Sequence, residues 1–273
     1  LRAGRYQYFI RLLRHNCPPG GALRLDHVMG LFRLFWIPKG LPPAAGAYVT
    51  YPADELLKIV ALESHRHRTL IIGEDLGTIS PQIRQELAHA RIMSTRLFYF
   101  ERRTDGSFIP PTAYPEWTLA AITTHDLPTL AGFWQGRDIT LRQQLGLFPE
   151  PAAVARAWEE RRQAKAAILQ LLQETGHLSG ESPELLAAPD LPAAVKCGII
   201  SLLLDSPCRL LLLQLEDIFA WPDQQNLPGT KDEYPNWRLK LPLPLEDILE
   251  HEFIKRLGAL AASKRGPGVE EKT

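Results

Sequence analysis

The chain has 273 residues, of which 45% are hydrophobic and 23% charged, with 31 basic side chains against 31 acidic ones. A formal net charge of zero removes any global electrostatic case for nucleic acid or an anionic membrane surface as partner. No apolar run approaches the roughly eighteen residues of a membrane-spanning helix, so the composition is that of a globular protein.

In chain order, a first helix is predicted from Tyr6 to Arg14, followed by a short apolar run, Ala22–Leu25, that ends in Asp26-His27. Pro52-Ala53-Asp54-Glu55 opens a helix that runs to His67, its acids early and its basic residues late. A second run, Leu70–Ile72, leads into Gly73-Glu74-Asp75-Leu76-Gly77, and Ser80-Pro81 then caps and starts another helix. Further runs are Arg96–Phe100 before Glu101, Ala120–Thr123 before Thr124-His125-Asp126, and Arg209–Leu215 before Glu216-Asp217. Between the last two lies a long amphipathic stretch, Glu150 to Thr175, and a connector from Ser182 to Pro192. Glu246 to Ala262 reads as a closing helix, and Lys264 to Thr273 as a polar, frayed tail. Near-continuous apolar runs alternating with helices predict parallel strands covered on both faces, in an α/β barrel or a doubly wound sheet. Three cysteines (Cys17, Cys197, Cys208) are too few and scattered for a disulfide framework. They predict buried free thiols in a reducing compartment, and with no secretory pattern at Leu1-Arg2-Ala3-Gly4 the expected location is cytoplasmic.

In such sheets ligands sit at the carboxyl ends of the strands, where the acids of this sequence cluster. Arg24 and Asp26 share a strand face, and an adjacent guanidinium favours the ionised carboxylate that a nucleophile requires. Glu74 stands at the mouth of its strand, where burial beside other carboxylates would raise its pKa for acid work. Asp126 supplies a third carboxylate. Any of them alone is as well explained as a cap or a loop hydrogen-bonder. Asp75 is expected to be structural, as are Glu216 and Asp217. His65 and His67 end a helix and have no third ligand in view, which argues against a metal site. Trp36, Tyr48, Phe133, Trp134 and Trp237 are ordinary core candidates, although those in Gly- and Pro-rich loops suit stacking on sugar.

Taken together, three segments carry a resemblance: Leu23-Arg24-Leu25-Asp26-His27-Val28-Met29-Gly30, Ile71-Ile72-Gly73-Glu74-Asp75-Leu76-Gly77 and Thr123-Thr124-His125-Asp126-Leu127-Pro128. Leu227-Pro228-Gly229-Thr230 and Pro235-Asn236-Trp237-Arg238 add to it less specifically. In order and spacing the chain resembles the amylomaltase or 4-α-glucanotransferase family, in its bacterial maltodextrin-metabolising branch, most loosely from Leu141 to Pro192. The resemblance implies Asp26 as nucleophile, Glu74 as general acid/base and Asp126 as the acid that stabilises the transition state. It further implies Arg24 as the hydrogen-bond partner of the nucleophile, and His27 and His125 as substrate-binding residues at the cleaved sugar. It implies α-1,4-glucans and maltooligosaccharides as substrates, retaining transfer through a covalent glycosyl-enzyme, and no metal or organic cofactor.

That family has a (β/α)8 TIM barrel with the nucleophile after the fourth strand, whereas here Asp26 ends the first. The implied fold is therefore an incomplete barrel, strands four to eight with a helical insertion, and a missing N-terminal part of the same protein is an expected partner. The expected segments are 1–140, a barrel portion with the three acids; 141–195, the helical insertion; and 196–273, the last strand and C-terminal helix. Unclosed edges at Leu23 and Leu210 predict that the chain alone aggregates or pairs through them. Two competing expectations are an α-glucan hydrolase of the amylase clan and a catalytically silent fragment.

Overall fold

Residues 1–180 and 182–266 are described by a computed structural model, in which the chain divides into two units. The first holds Leu1–Arg96 and Trp117–Leu119, the second Leu97–Glu116 and Ala120 onward.

In the first unit, α1 (Gln7–Asn16) turns Phe9 and Leu13 inward at helical spacing, with Cys17 continuing the stripe just past its end. β1 (Ala22–Leu25) follows, then an antiparallel hairpin of β2 (Arg33–Trp36) and β3 (Ala47–Thr50). α2 (Ala53–His67) buries Leu56, Leu57 and Val60 on one face. Glu63 shares that buried face, and two hydrogen bonds from Arg14 at 2.9 and 3.0 Å and one from Arg66 at 3.0 Å hold its pKa low. β4 (Leu70–Gly73) lies parallel to β1 with Ala22 opposite Leu70 and Leu25 opposite Gly73. α3 (Pro81–His89) starts as predicted, the Ser80 hydroxyl accepting from Ile83 N–H at 3.3 Å. A core of Leu13, Val28, Phe32, Val60, Ile71 and Ile92 lies between these helices and the β1 and β4 pair. Gly73 is required by packing, because a Cβ there would meet Ile92 at 2.9 Å and Val28 at 3.2 Å.

β5 (Ser94–Leu97), β6 (Thr118–Ala121) and β7 (Leu210–Leu212) form a sheet with β6 in the middle, and the division between units falls within β5 and β6. The second unit contains α4 (Leu130–Gln135), α5 (Arg137–Gln144), α6 (Pro151–Glu174), α7 (Ser182–Ala187), α8 (Ala193–Leu204) and α9 (Leu215–Phe219). It ends with α10 (Leu245–Glu250) and α11 (Glu252–Arg265). Its core packs Phe98, Phe108, Trp134, Ile168, Leu172 and Ile199 together. The parallel pairing of β1 with β4 and the covering helices make the chain α/β, as expected. Among the described residues no helix is long and apolar enough to cross a membrane.

Several local expectations need correction. The strands predicted at Arg96–Phe100 and Ala120–Thr123 begin two residues earlier and end three and two residues earlier, because Phe98 and Ile122 are buried in the turns beyond the ladder and prolong the apolar run. The strand at Arg209–Leu215 is shorter, since Leu215 already begins α9. The connector holds α7, and the closing helix is two helices, broken where the His251 ring accepts from Phe253 N–H at 3.1 Å. Lys264 and Arg265, read as tail, belong to α11, with Lys264 donating to Asp205 at 2.6 Å; the rest of that tail, 267–273, lies outside the described residues. Cys17 and Cys208 are buried free thiols, but Cys197 is exposed on α8. Phe133 and Trp134 are core, whereas Trp36, Tyr48 and Trp237 are exposed.

Candidate active site

The predicted site residues fall into two groups, one in each unit. In the first, Arg24 and Asp26 leave the end of β1 on the same side, and Arg24 Nη1 donates to Asp26 Oδ1 at 2.7 Å. The Asp26 side chain is 77% exposed, so its carboxylate is free to approach a ligand. His27 follows in the left-handed region at φ 44°, a conformation that stores strain in a non-glycine residue. That twist points its N–H at Glu74 Oε2, 2.9 Å away. Val28 N–H donates to the Glu74 carbonyl at 3.0 Å, and Glu74 N–H to the Leu25 carbonyl at 2.9 Å. The turn after β1 and the turn after β4 are thus laced together around Glu74.

Leu76 N–H occupies the other Glu74 oxygen, Oε1, at 2.8 Å. The sequence predicted Glu74 buried among other carboxylates; it is only half-buried, and backbone N–H groups take both its oxygens. Asp75 is 2% exposed and points away into a scaffold. It accepts from Thr95 N–H at 2.7 Å, Arg84 at 3.2 Å and Arg96 at 3.3 Å, while the Thr95 hydroxyl donates to the Gly73 carbonyl at 2.9 Å. Its expected structural role follows from those bonds.

In the second group, Asp126 and His125 occupy the turn between β6 and α4, with His125 Nε2 3.4 Å from Asp126 Oδ2. The Asn226 side chain donates to Asp126 Oδ1 at 2.6 Å, and Asn226 N–H donates to the His125 carbonyl at 3.1 Å. The Trp237 ring lies 4.9 Å from that of His125, and its backbone is left-handed at φ 60°, unusual for so bulky a residue. Asn236 holds this loop, accepting from Leu227 N–H at 2.8 Å and donating to the Thr230 hydroxyl at 2.8 Å. Asn226 was missed by the sequence reading; its only signal is its place before the Leu227-Pro228-Gly229 turn.

Glu216 accepts from Gln225 at 2.9 Å, and Asp217 is buried at the start of α9, accepting from Leu130 N–H at 2.6 Å. Burial, reinforced by the Glu216 charge, pushes the Asp217 carboxyl up to about 7. Burial also drives the Tyr99 hydroxyl well above its usual range. A cavity of about 260 Å³ is lined by Asp126, Tyr99, Arg102, Arg142 and Gln224. A larger one of about 920 Å³, between α5, α6 and residues 102–107, holds none of the three predicted acids. Among the described residues no group of three or more His, Cys, Asp or Glu side chains is arranged to hold a metal ion.

A family model described as 4-alpha-glucanotransferase matches residues 1–245. A 4-alpha-glucanotransferase of Haemophilus influenzae is 40% identical over 255 residues, which are 93% of this chain and 36% of that protein. One of Mycobacterium tuberculosis is 39% identical over 270 residues, 95% of this chain and 36% of that protein. The crystal structure of amylomaltase from Corynebacterium glutamicum superposes with a TM-score of 0.80 at 32% identity, covering 92% of this chain and 36% of that one. An amylomaltase from Streptococcus agalactiae, solved in complex with acarbose, shares the fold at a TM-score of 0.68 and 17% identity. The chain therefore spans little more than a third of the length of the curated relatives at 39–40% identity.

Proposed function

The chain belongs to the 4-alpha-glucanotransferase family, and from that premise we propose that it carries the acids of a retaining α-1,4-glucan transferase. Asp26 is the nucleophile, Glu74 the acid/base and Asp126 the acid that grips the sugar hydroxyls as positive charge develops at the anomeric carbon. Arg24 steadies the ionised Asp26, and His27 and His125 contact the sugar at the point of cleavage. β1, β4, β5, β6 and β7 serve as successive strands of a (β/α)8 barrel. Residues 1–140 bring the acids, 141–195 a helical insertion and 196–273 the last strand and closing helices.

The reaction is a double displacement. Asp26 forms a bond to the anomeric carbon while the glycosidic C–O bond breaks and Glu74 gives its proton to the departing oxygen. Glu74, now a base, takes the proton of an incoming glucan 4-hydroxyl, which displaces Asp26 and restores the α-linkage. Transfer outruns hydrolysis when the acceptor site is filled with sugar and water is kept out.

The observation that carries the reading is the lacing of Glu74 to the turn that follows Asp26, through His27 N–H at 2.9 Å. Retaining enzymes need their two carboxyl groups about 5–5.5 Å apart, and such lacing is a means of fixing a short separation. The test is incubation with maltotriose, using the chain alone and in place of the matching third of a homologous amylomaltase. Transfer gives glucose and longer chains; hydrolysis gives only glucose and maltose. We expect no turnover by the chain alone and transfer by the hybrid. Asp26→Asn in the hybrid should cost at least about 10⁴-fold in kcat, and retained activity would remove Asp26 from the mechanism.

A further inference from the structure

Asp217 is a buried carboxyl that the mechanism above leaves unused. Only 1% of the residue is exposed, and Oδ2 has no hydrogen-bond partner among the described residues. Its other oxygen accepts the N–H of Leu130, the first residue of α4, at 2.6 Å. An acid at that position satisfies a free helix-terminal N–H from outside the helix and meets the positive end of its dipole.

The same stretch of chain grips the loop before α4 at three further places. Gln214 donates to the Thr123 carbonyl at 3.4 Å, the Thr129 hydroxyl donates to the Trp221 carbonyl at 2.5 Å, and Asn226 donates to Asp126 itself at 2.6 Å. The fit at the far end is close, since a Cβ on Gly132 would come within 2.3 Å of the Pro222 carbonyl oxygen. Residues 214–226 thus clasp the whole segment Thr123–Gly132, with Asp217 as its only buried charged contact among the described residues.

We propose that Asp217 is a positioning residue for Asp126, holding the Asp126 loop in place through the Leu130 N–H. The proposal rests on the reading of Asp126 as the third acid. Glu216 on its own helix and Tyr99 act electrostatically with Asp217, and Tyr99 in turn with Asp138 and Arg161. The Lys196 ammonium on α8 donates to the neighbouring Ile218 carbonyl at 2.7 Å and forms no ion pair with Asp217 among the described residues. With no cation bonded to it among the described residues, Asp217 gains its charge near pH 7 rather than near 4. Its grip on the Leu130 N–H is then strongest above that pH, where the acceptor is ionised.

Amide NMR of the 273-residue chain tests this without turnover. The Asp217 carboxyl carbon, the Leu130 amide and the His125 and Asp126 amides should share one midpoint near pH 7, the Leu130 proton moving downfield as pH rises. In Asp217→Asn, which keeps an acceptor oxygen but cannot ionise, that common step should vanish. If the Asp217 carbon titrates with a different midpoint from the loop amides, or the step persists in Asp217→Asn, the proposal is wrong. The carbon measurement needs no variant, so it decides even if Asp217→Asn does not fold. Full activity of Asp126→Asn in the hybrid enzyme would instead remove the catalytic reading and leave the clasp intact.

Discussion

The two groups of acids are held by different means. Asp26 and Glu74 stand at adjacent parallel strand ends; the His27 and Leu76 N–H groups hold the Glu74 carboxylate at 2.9 and 2.8 Å, while the neighbouring Arg24 holds Asp26 at 2.7 Å. Asp126 is held by side chains about a hundred residues further on, chiefly Asn226 at 2.6 Å. A backbone tether survives changes of side chain, whereas a side-chain tether is lost with one substitution. The hold on Glu74 is therefore robust and that on Asp126 adjustable.

Three substitutions in the hybrid enzyme probe that difference. The largest effect on rate belongs to Glu74→Gln, whose amide keeps one acceptor oxygen but sets an NH2 donor against the other of the His27 and Leu76 N–H groups, and cannot deliver a proton. It should reduce kcat by about 10²–10⁴-fold and lower the melting temperature through the lost bond. Asp75→Ala attacks the support behind Glu74 instead. It strips a buried acceptor from Thr95 N–H, Arg84 and Arg96 and should cost about 3 kcal/mol in urea unfolding. If Asp75→Ala were as stable as the parent, the backbone lacing alone would suffice and the contrast would be sharper still. Asn226→Ala should have the smallest effect, of order tenfold in kcat/KM from one lost bond to a charged acceptor, with stability almost unchanged. An unaltered kcat/KM would mean that Asp126 needs no side-chain tether.

What could be read from the sequence follows the same line. The strand before Asp26, the strand before Glu74 and the helix opened by Ser80 are local patterns, and each lies close to where it was predicted. The clasp around Asp126 was not legible, because nothing local marks Asn226 or Asp217 as partners of residues so distant in sequence. α8 was missed for another reason. Val195, Ile199, Leu202 and Leu203 are buried, and the few residues turned outward (Ala193, Ala194, Cys197) are small and uncharged, so the apolar run shows little helical period to detect. The hairpin β2–β3 was missed because its apolar residues do not alternate with polar ones. Leu34, Phe35 and Trp36 are consecutive, and all are at least a third exposed.

That hairpin has a further consequence. Among the described residues its two strands pair only with each other, from Arg33 opposite Thr50 to Trp36 opposite Ala47, and every residue in both is exposed. Local stability scales with buried apolar contact, so this ladder has little to resist fraying beyond its cross-strand rings, Phe35 on Tyr48 at 5.2 Å and Arg33 over Tyr48 at 4.5 Å. Amide hydrogens in β2 and β3 should exchange with solvent deuterium well before those of β4, whose Ile71, Ile72 and Gly73 are buried. The chain following Asp26 would then open and close as a small unit of its own, while the paired strand ends that hold the two acids stay shut.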